Sequence, residues 1–211
     1  MDSRFQGIVL AGGKSSRFGE DKALALLDGV TFLETAVRRL QEIGLRVTVI
    51  TNRTRDYSGL HLGCDIQTDI IEEKGPLGGL YTACRLFPGQ AVLVVVCDMP
   101  SMSVSLLERL IRSHRRENTA TVFSLEKGGF EPFPGVYESN LSQRVLERLK
   151  LNKLSLEGLL DDIPELNVIR LKLAREAFMN INNKKDFDQL QDPITIRNRC
   201  AFLDGRLYPH F

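Results

Sequence analysis

Between residues 12 and 22 the chain reads GGKSSRFGEDK, so Gly12, Gly13 and Gly19 alternate with Lys14, Arg17 and Lys22. Glycine lets backbone amides approach a ligand closely, and consecutive amides in a turn form a concavity that suits an anion. Arginine adds a bidentate fork and lysine a movable point charge. These residue types together point to a polyphosphate. The spelling Gly13-Lys14-Ser15 suggests a P-loop, but that motif needs a glycine at position 8, where the chain has Ile8,. The dinucleotide pattern G-x-G-x-x-G fails as well, because Gly12 and Gly13 are adjacent and the next glycine is Gly19,.

Further polar residues stand just past apolar runs. Asn52 follows RVTVIT, Asp69 follows CDIQT, and Asp98 follows AVLVVVC. A bare carboxylate at the end of a buried strand is costly unless a cation neutralises it. Mg²⁺ is the expected partner of Asp98, being a hard ion that takes one or two carboxylates together with phosphate oxygens. Asp69 could meet base, sugar, or metal through water. A second glycine turn, EKGPLGGLYTA, places Gly75, Gly78 and Gly79 at the start of a helix. Its amides could face a base edge or an anion, or the glycines could serve close helix packing.

The elements that must position these residues follow from periodicity. Residues 6 to 11 predict a buried strand ending in the glycine turn. Thr31 and Glu34 have capping-box spacing ahead of an apolar stripe at 33, 36, 37, 40 and 43, a helix stopped by Gly44,. RVTVIT and CDIQTD predict strands, LGGLYTACRLF a helix, AVLVVVCDMP a strand covered on both faces, and SVSLLERLIRSHRRE a helix,. Alternation of this kind through residue 117 gives a doubly wound, mostly parallel sheet with helices on both faces. Ligands of such a sheet bind beyond the carboxyl ends of the strands. That is where Gly12, Asn52, Asp69 and Asp98 are expected. Further on, TVFSLE, GVYES and NVIRLKL predict strands, NLSQRVLERLK a helix, and residues 184–191 a short helix. One domain is expected over 1–191, with a nucleotide-binding half near 1–117 and an acceptor-binding half near 118–191. Residues 192–211 read as an extension without clear period.

Composition narrows the classes. The chain has 28 Lys+Arg against 27 Asp+Glu, so no overall basic field argues for nucleic acid or an anionic membrane surface,. No apolar run reaches the length of a membrane span, and MDSRFQGIVLAGG does not read as a signal peptide, so a cytoplasmic setting is expected,. Cys64, Cys84, Cys97 and Cys200 form no C-x-x-C pair and are expected as reduced, mostly buried thiols; His61, His114 and His210 are scattered and expected at the surface,.

LAGGKSSRFGEDK closely resembles the signature LAGG-x-S-x-R-[MF]-G-x-D-K of the molybdenum cofactor guanylyltransferases, MobA-like nucleotidyltransferases with a GT-A-type, Rossmann-like fold. The likeness extends through TN at 51–52, Asp69, GPLGGL at 75–80, CDMP at 97–100 and FMNIN at 178–182. The resemblance implies transfer of GMP from GTP to molybdenum-molybdopterin, with release of pyrophosphate and with Mg²⁺ as cofactor. It assigns Leu10, Ala11 and Gly12 to the guanine and ribose side, and Gly13 and Arg17 to the phosphate loop. Lys22 becomes the main catalytic cation, Asn52 and Asp69 nucleoside contacts, and Gly75 and Gly78 part of the second nucleotide loop. Asp98 is the metal ligand, and Asn180 and Asn182 lie on the acceptor side. Transient contacts with the molybdenum insertion protein and molybdoenzyme apoproteins are implied as partners. Related cytidylyltransferases tend to carry LAAG, so the intact LAGG favours GTP. INNKKDF departs from the family's Asn-Thr-Pro ending, and EPFPGVY follows its pterin-side segment only loosely. Alternatives are a CTP-dependent cofactor cytidylyltransferase, a sugar- or polyol-phosphate nucleotidyltransferase of the same fold, and a non-catalytic nucleotide-binding protein.

Overall fold

A computed structural model describes residues 3–12, 21–125 and 128–172, together with Phe178, Ile181 and Asp186. The expected helix at 184–191, Asp186 aside, and the extension at 192–211 lie outside the described residues. Strand β1 (Phe5–Leu10) is followed by a single 3-10 turn at Lys22–Leu24 and by a small hairpin, β2 (Leu26–Leu27) and β3 (Val30–Thr31). Then come α1 (Phe32–Glu42), β4 (Val47–Thr51), β5 (Asp65–Thr68), α2 (Gly75–Leu86), β6 (Ala91–Val96) and α3 (Val104–Ser113). The second half supplies β7 (Ala120–Leu125), β8 (Phe130–Glu138), α4 (Ser142–Lys150), α5 (Leu156–Asp161) and β9 (Leu166–Leu171).

The seven-stranded sheet has the order β5-β4-β1-β6-β8-β7-β9. β4 and β6 flank β1 in parallel, and β5 is parallel to β4. β8 is antiparallel to both of its neighbours, β6 and β7; the connection from β7 to β8 is too short for a crossover, so those two pair as a hairpin. The expectation of a mostly parallel sheet with helices on both faces holds.

Alternation along each strand builds two cores. Val9, Val49, Leu93 and Val95 pack with Leu33, Val37 and Leu40 of α1 and Leu106, Leu107 and Leu110 of α3. Ile8, Leu10, Ile50, Val92 and Val94 pack on the other face with Leu77, Leu80 and Ala83 of α2 and with apolar residues of α4 and α5. The expected capping box of α1 is present: Glu34 N–H donates to Thr31 Oγ1 at 3.1 Å, and Thr31 N–H donates to Glu34 Oε2 at 3.0 Å. Such a cap contributes about 1 kcal/mol. Gly44 ends the helix turn at φ +78,. The β2–β3 hairpin was not expected. Its signal is the dipeptide Asp28-Gly29, whose φ values of 53 and 78 are those of a type I′ turn,.

His114 corrects the expectation of a surface histidine, being 1% exposed. Its Nε2 lies 3.0 Å from Glu138 Oε1 and its Nδ1 2.8 Å from Thr121 Oγ1. The carboxylate can only accept, so Nε2 carries the proton and Nδ1 accepts from the threonine. Asn167 Nδ2 donates to the Ser113 carbonyl at 2.9 Å and to Thr121 Oγ1 at 3.4 Å, extending the network to β9. Burial holds the imidazole below its ordinary value of 6.5, against the opposing pull of Glu138. On acidification the unfolded chain therefore takes up a proton before the folded one does. The stability carried by neutral His114 is complete above pH 6.5 and is lost as pH falls below it,. Urea midpoints at pH 8 and pH 5.5 are expected to differ more for the wild type than for His114→Gln, which cannot titrate. Equal differences would rule this out.

Candidate active site

The ladder hydrogen bonds run one step beyond the strands at a single edge. Ala11 N–H donates to the Ile50 carbonyl (2.9 Å), Asp69 N–H to Thr51 (2.7 Å) and Cys97 N–H to Leu10 (3.3 Å). Asp69, Asn52, the Ala11-Gly12 turn and Asp98 thus stand in a row along the carboxyl edge of β5, β4, β1 and β6, as the sequence predicts. Chain neighbours did not fix this row; the parallel registers Leu10↔Ile50, Leu10↔Val96 and Thr51↔Thr68 did.

Lys22 reaches the row from the 3-10 turn. Its Nζ lies 3.0 Å from Asp98 Oδ2, and the two side chains are 14% and 23% exposed. Both side chains are largely out of water, so parting the pair is favourable only when each charge is offered a new partner,. Asp98 Oδ1 is buried and has no hydrogen-bond partner among the described residues. Nor, among them, does any group of three or more His, Cys, Asp or Glu side chains gather as a metal site. A buried carboxylate oxygen of this kind at the carboxyl edge of the sheet fits a hard cation that takes most of its remaining ligands from a bound ligand's oxygens and water. The Asp98 carbonyl accepts from Ile181 N–H at 2.9 Å, and Ile181 is fully buried with Leu27 and Phe32. Phe178 packs edge-on to Phe123. Ile181 is therefore anchored beside Asp98, while Asn180 and Asn182 lie outside the described residues, as do Gly13, Lys14 and Arg17.

Asn52 acts first on the loop. Its Nδ2 donates to the Gly12 carbonyl at 3.2 Å, and its Oδ1 accepts from Thr54 N–H at 3.1 Å and Thr54 Oγ1 at 2.7 Å. Asp69 Oδ1 accepts from the Thr82 hydroxyl and from Ile71 N–H. Burial raises its carboxyl above the ordinary value of 3.8, more than these hydrogen bonds lower it. Leu10 is buried against α2, and Gly79 makes that approach feasible: a Cβ there would lie 2.8 Å from Leu10 Cδ2. A Cβ at Gly78 would meet the Ile71 carbonyl at 2.8 Å and Asp69 Oδ2 at 3.2 Å. Of the two readings of the second glycine turn, Gly78 and Gly79 thus serve close packing. Gly75, at φ +60 with open space around it, needs its glycine for conformation,.

Three side chains to which the sequence reading gave no role complete the edge. Asp21 caps the 3-10 turn through Ala23 N–H at 3.1 Å, and its Oδ2 takes Arg55 Nη1 and the Tyr57 hydroxyl, each at 3.0 Å. Only the pairing of Asp21 with Lys22 in one motif hinted at the first; Arg55 and Tyr57 carry no local signal.

The family model described as "MobA-like NTP transferase domain" matches residues 7–165. A protein of Pyrococcus horikoshii named "Probable molybdenum cofactor guanylyltransferase" is 32% identical over 84% of this chain and 94% of its own. One of the same name from Flavobacterium johnsoniae is 29% identical over 87% of this chain and 93% of its own. Among solved structures, molybdopterin-guanine dinucleotide biosynthesis protein A of Archaeoglobus fulgidus superposes with a TM-score of 0.76 at 18% identity, covering 90% of this chain and 99% of that one. The last likeness is one of fold.

Proposed function

The chain belongs to the MobA-like NTP transferase family, and from that premise we propose that it transfers GMP from GTP to molybdenum-molybdopterin, with Mg²⁺ as its cofactor. An oxygen of the acceptor's terminal phosphate attacks the α-phosphorus of GTP and forms a new P–O–P linkage. The bond from the α-phosphorus to the bridging β-oxygen breaks, and pyrophosphate leaves. The attacking oxygen is already anionic, so no protein base is needed. What the protein must do is hold repelling phosphates in line and offset the charge that develops on them.

The observation that carries this reading is the Lys22–Asp98 pair beside the glycine turn, with Asp98 Oδ1 buried and without a hydrogen-bond partner among the described residues. Lys22 would turn from Asp98 to the phosphates, and Asp98 would hold the cation. Bound Mg²⁺ would supply charge neutralisation between the α-phosphate and the leaving pyrophosphate. Arg17 and the Gly13 amide are assigned to the same phosphate loop, and Leu10, Ala11, Gly12, Asn52, Gly75 and Asp69 to the nucleoside side. Asn180 and Asn182 are assigned to the acceptor side. Relatives named as guanylyltransferases support GTP as donor. A cytoplasmic setting, and transient contacts with a molybdenum insertion protein and molybdoenzyme apoproteins, are part of the same proposal. Among the described residues no helix is long and apolar enough to cross a membrane.

The test is pyrophosphate release with each of the four NTPs, with and without molybdenum cofactor. GTP alone is expected to support release, and only with the acceptor present. Release with CTP instead, or with sugar phosphates, would overturn the reading.

Asp69 provides a subsidiary check. Asn in its place keeps an acceptor for Thr82 and removes a carboxylate whose burial opposes ionisation. Asp69→Asn is expected to raise Tm by about 1–3 °C. It is expected to weaken GTP binding about tenfold, the effect of losing one charged hydrogen bond. Scanning calorimetry and nucleotide titration read the two effects separately; unchanged affinity would remove Asp69 from the nucleoside site.

A further inference from the structure

Tyr57 lies between β4 and β5 and is 2% exposed. Its hydroxyl stands 3.0 Å from Asp21 Oδ2 and 3.1 Å from the Ala11 carbonyl oxygen. Ala11 ends the first strand and Asp21 immediately precedes Lys22, so one phenol spans both stems of the basic loop. Arg55 braces the same carboxylate oxygen at 3.0 Å, and the other oxygen receives Ala23 N–H at 3.1 Å. Asp21 is only 12% exposed, and its charge-assisted contacts fix direction as well as distance. Burial, and next the charge of Asp21, push the phenol well above its ordinary value of 10.0, so it stays a donor.

We propose that Tyr57, Asp21 and Arg55 are positioning residues that clamp the two stems of the basic loop and set the orientation from which Lys22 meets Asp98 and the substrate phosphates. Their effect on turnover rests on the guanylyl-transfer reading; the clamp itself does not. A greasy residue could fill the space that Tyr57 occupies, but it could not hold both stems at hydrogen-bond distance or aim the turn that carries Lys22. Small misplacements of a group that acts on the transferring phosphate are costly in rate.

Two measurements on Tyr57→Phe, which keeps the ring, and on Asp21→Asn separate the clamp from the reaction. The first uses no nucleotide: the Lys22 amine is pulse-acetylated with acetic anhydride in the intact protein, and the modified peptide is quantified by mass spectrometry. Lys22 is 14% exposed and paired with Asp98, so loosening the clamp is expected to speed its acetylation severalfold in both variants. The second is steady-state pyrophosphate release with GTP and acceptor. Tyr57→Phe is expected to lower kcat about tenfold or more while KM for GTP stays within about twofold, and to have no further effect in a Lys22→Ala background. Arg55→Lys should retain more turnover than Arg55→Ala. Unchanged acetylation overturns the clamp, as do additive losses in the double variant or a raised KM at constant kcat. If the wild type turns no GTP over but acetylation responds to Tyr57→Phe, the clamp stands and the guanylyl reading falls.

Discussion

Replacing Lys22 by alanine is expected to lower pyrophosphate release about 10²- to 10³-fold, while GTP affinity changes by no more than about tenfold. The asymmetry follows from where the charge is needed. On the proposed reading, Arg17, the glycine-loop amides and a metal ion would share the work of holding a triphosphate. As the bond to the β-phosphate opens, negative charge accumulates on the leaving oxygens, and a mobile ammonium can follow it. Lys22→Arg should recover only part of the loss, since a planar fork does not reproduce a compact point charge. Removing Lys22 leaves the part-buried Asp98 carboxylate without this cation, so some loss of stability is expected, and a Tm measured on the same sample separates it from the loss of turnover,. Calorimetric GTP titration alongside turnover reads both halves of the prediction. A variant with normal turnover removes Lys22 from the mechanism, and one that fails only in binding makes it a ground-state contact.

Asp98→Asn is expected to be at least as damaging, with turnover lower by about 10³-fold or more, since a metal ion's electrostatic contribution runs to several kcal/mol. The substitution is nearly isosteric. The backbone contact from Ile181 uses the Asp98 carbonyl oxygen, so it is untouched. What disappears is the negative charge of a carboxylate whose Oδ1 is buried without a partner among the described residues. Mn²⁺ titration followed by electron paramagnetic resonance, with GTP present, should show loss of the bound cation. Addition of more Mg²⁺ should recover little activity. Normal Mn²⁺ binding in the variant would move the metal to another ligand and leave Asp98 as a partner of Lys22 alone.

Much of this edge was readable because its signals are local. An apolar run followed by a polar residue marks a strand end, and four such ends named Gly12, Asn52, Asp69 and Asp98. The capping box at Thr31 and Glu34 spans a single turn and was equally plain. Reading failed where the deciding partner is distant or the pattern brief. The β2–β3 hairpin offers two residues per strand, too few for periodicity, and only Asp28-Gly29 betrays it. Helix α5 is six residues long, shorter than a dependable helical repeat. His114 was expected at the surface because the histidines are scattered along the chain, yet β7 and β8 bring Thr121 and Glu138 to both of its nitrogens. The glycines of GPLGGL illustrate a different ambiguity. A glycine that contacts a ligand and a glycine that admits a neighbouring side chain look alike in sequence, and only the atoms facing Gly78 and Gly79 distinguish them.

By itself, then, the sequence determined the alternation of strands and helices, the edge at which function would collect, and the residue types there: a glycine turn, cations and carboxylates suited to a nucleoside triphosphate. Each of these is written within a few consecutive residues, where hydrophobic period and side-chain chemistry act directly. Tertiary structure alone decided which of those residues meet. Lys22 and Asp98 are 76 positions apart and come together because β6 pairs with β1 in a register that ends both strands at one level. Tyr57 reaches across to Ala11 and Asp21 from a loop without a motif. Such convergence depends on crossover connections and on two packed cores, and no window along the chain contains either.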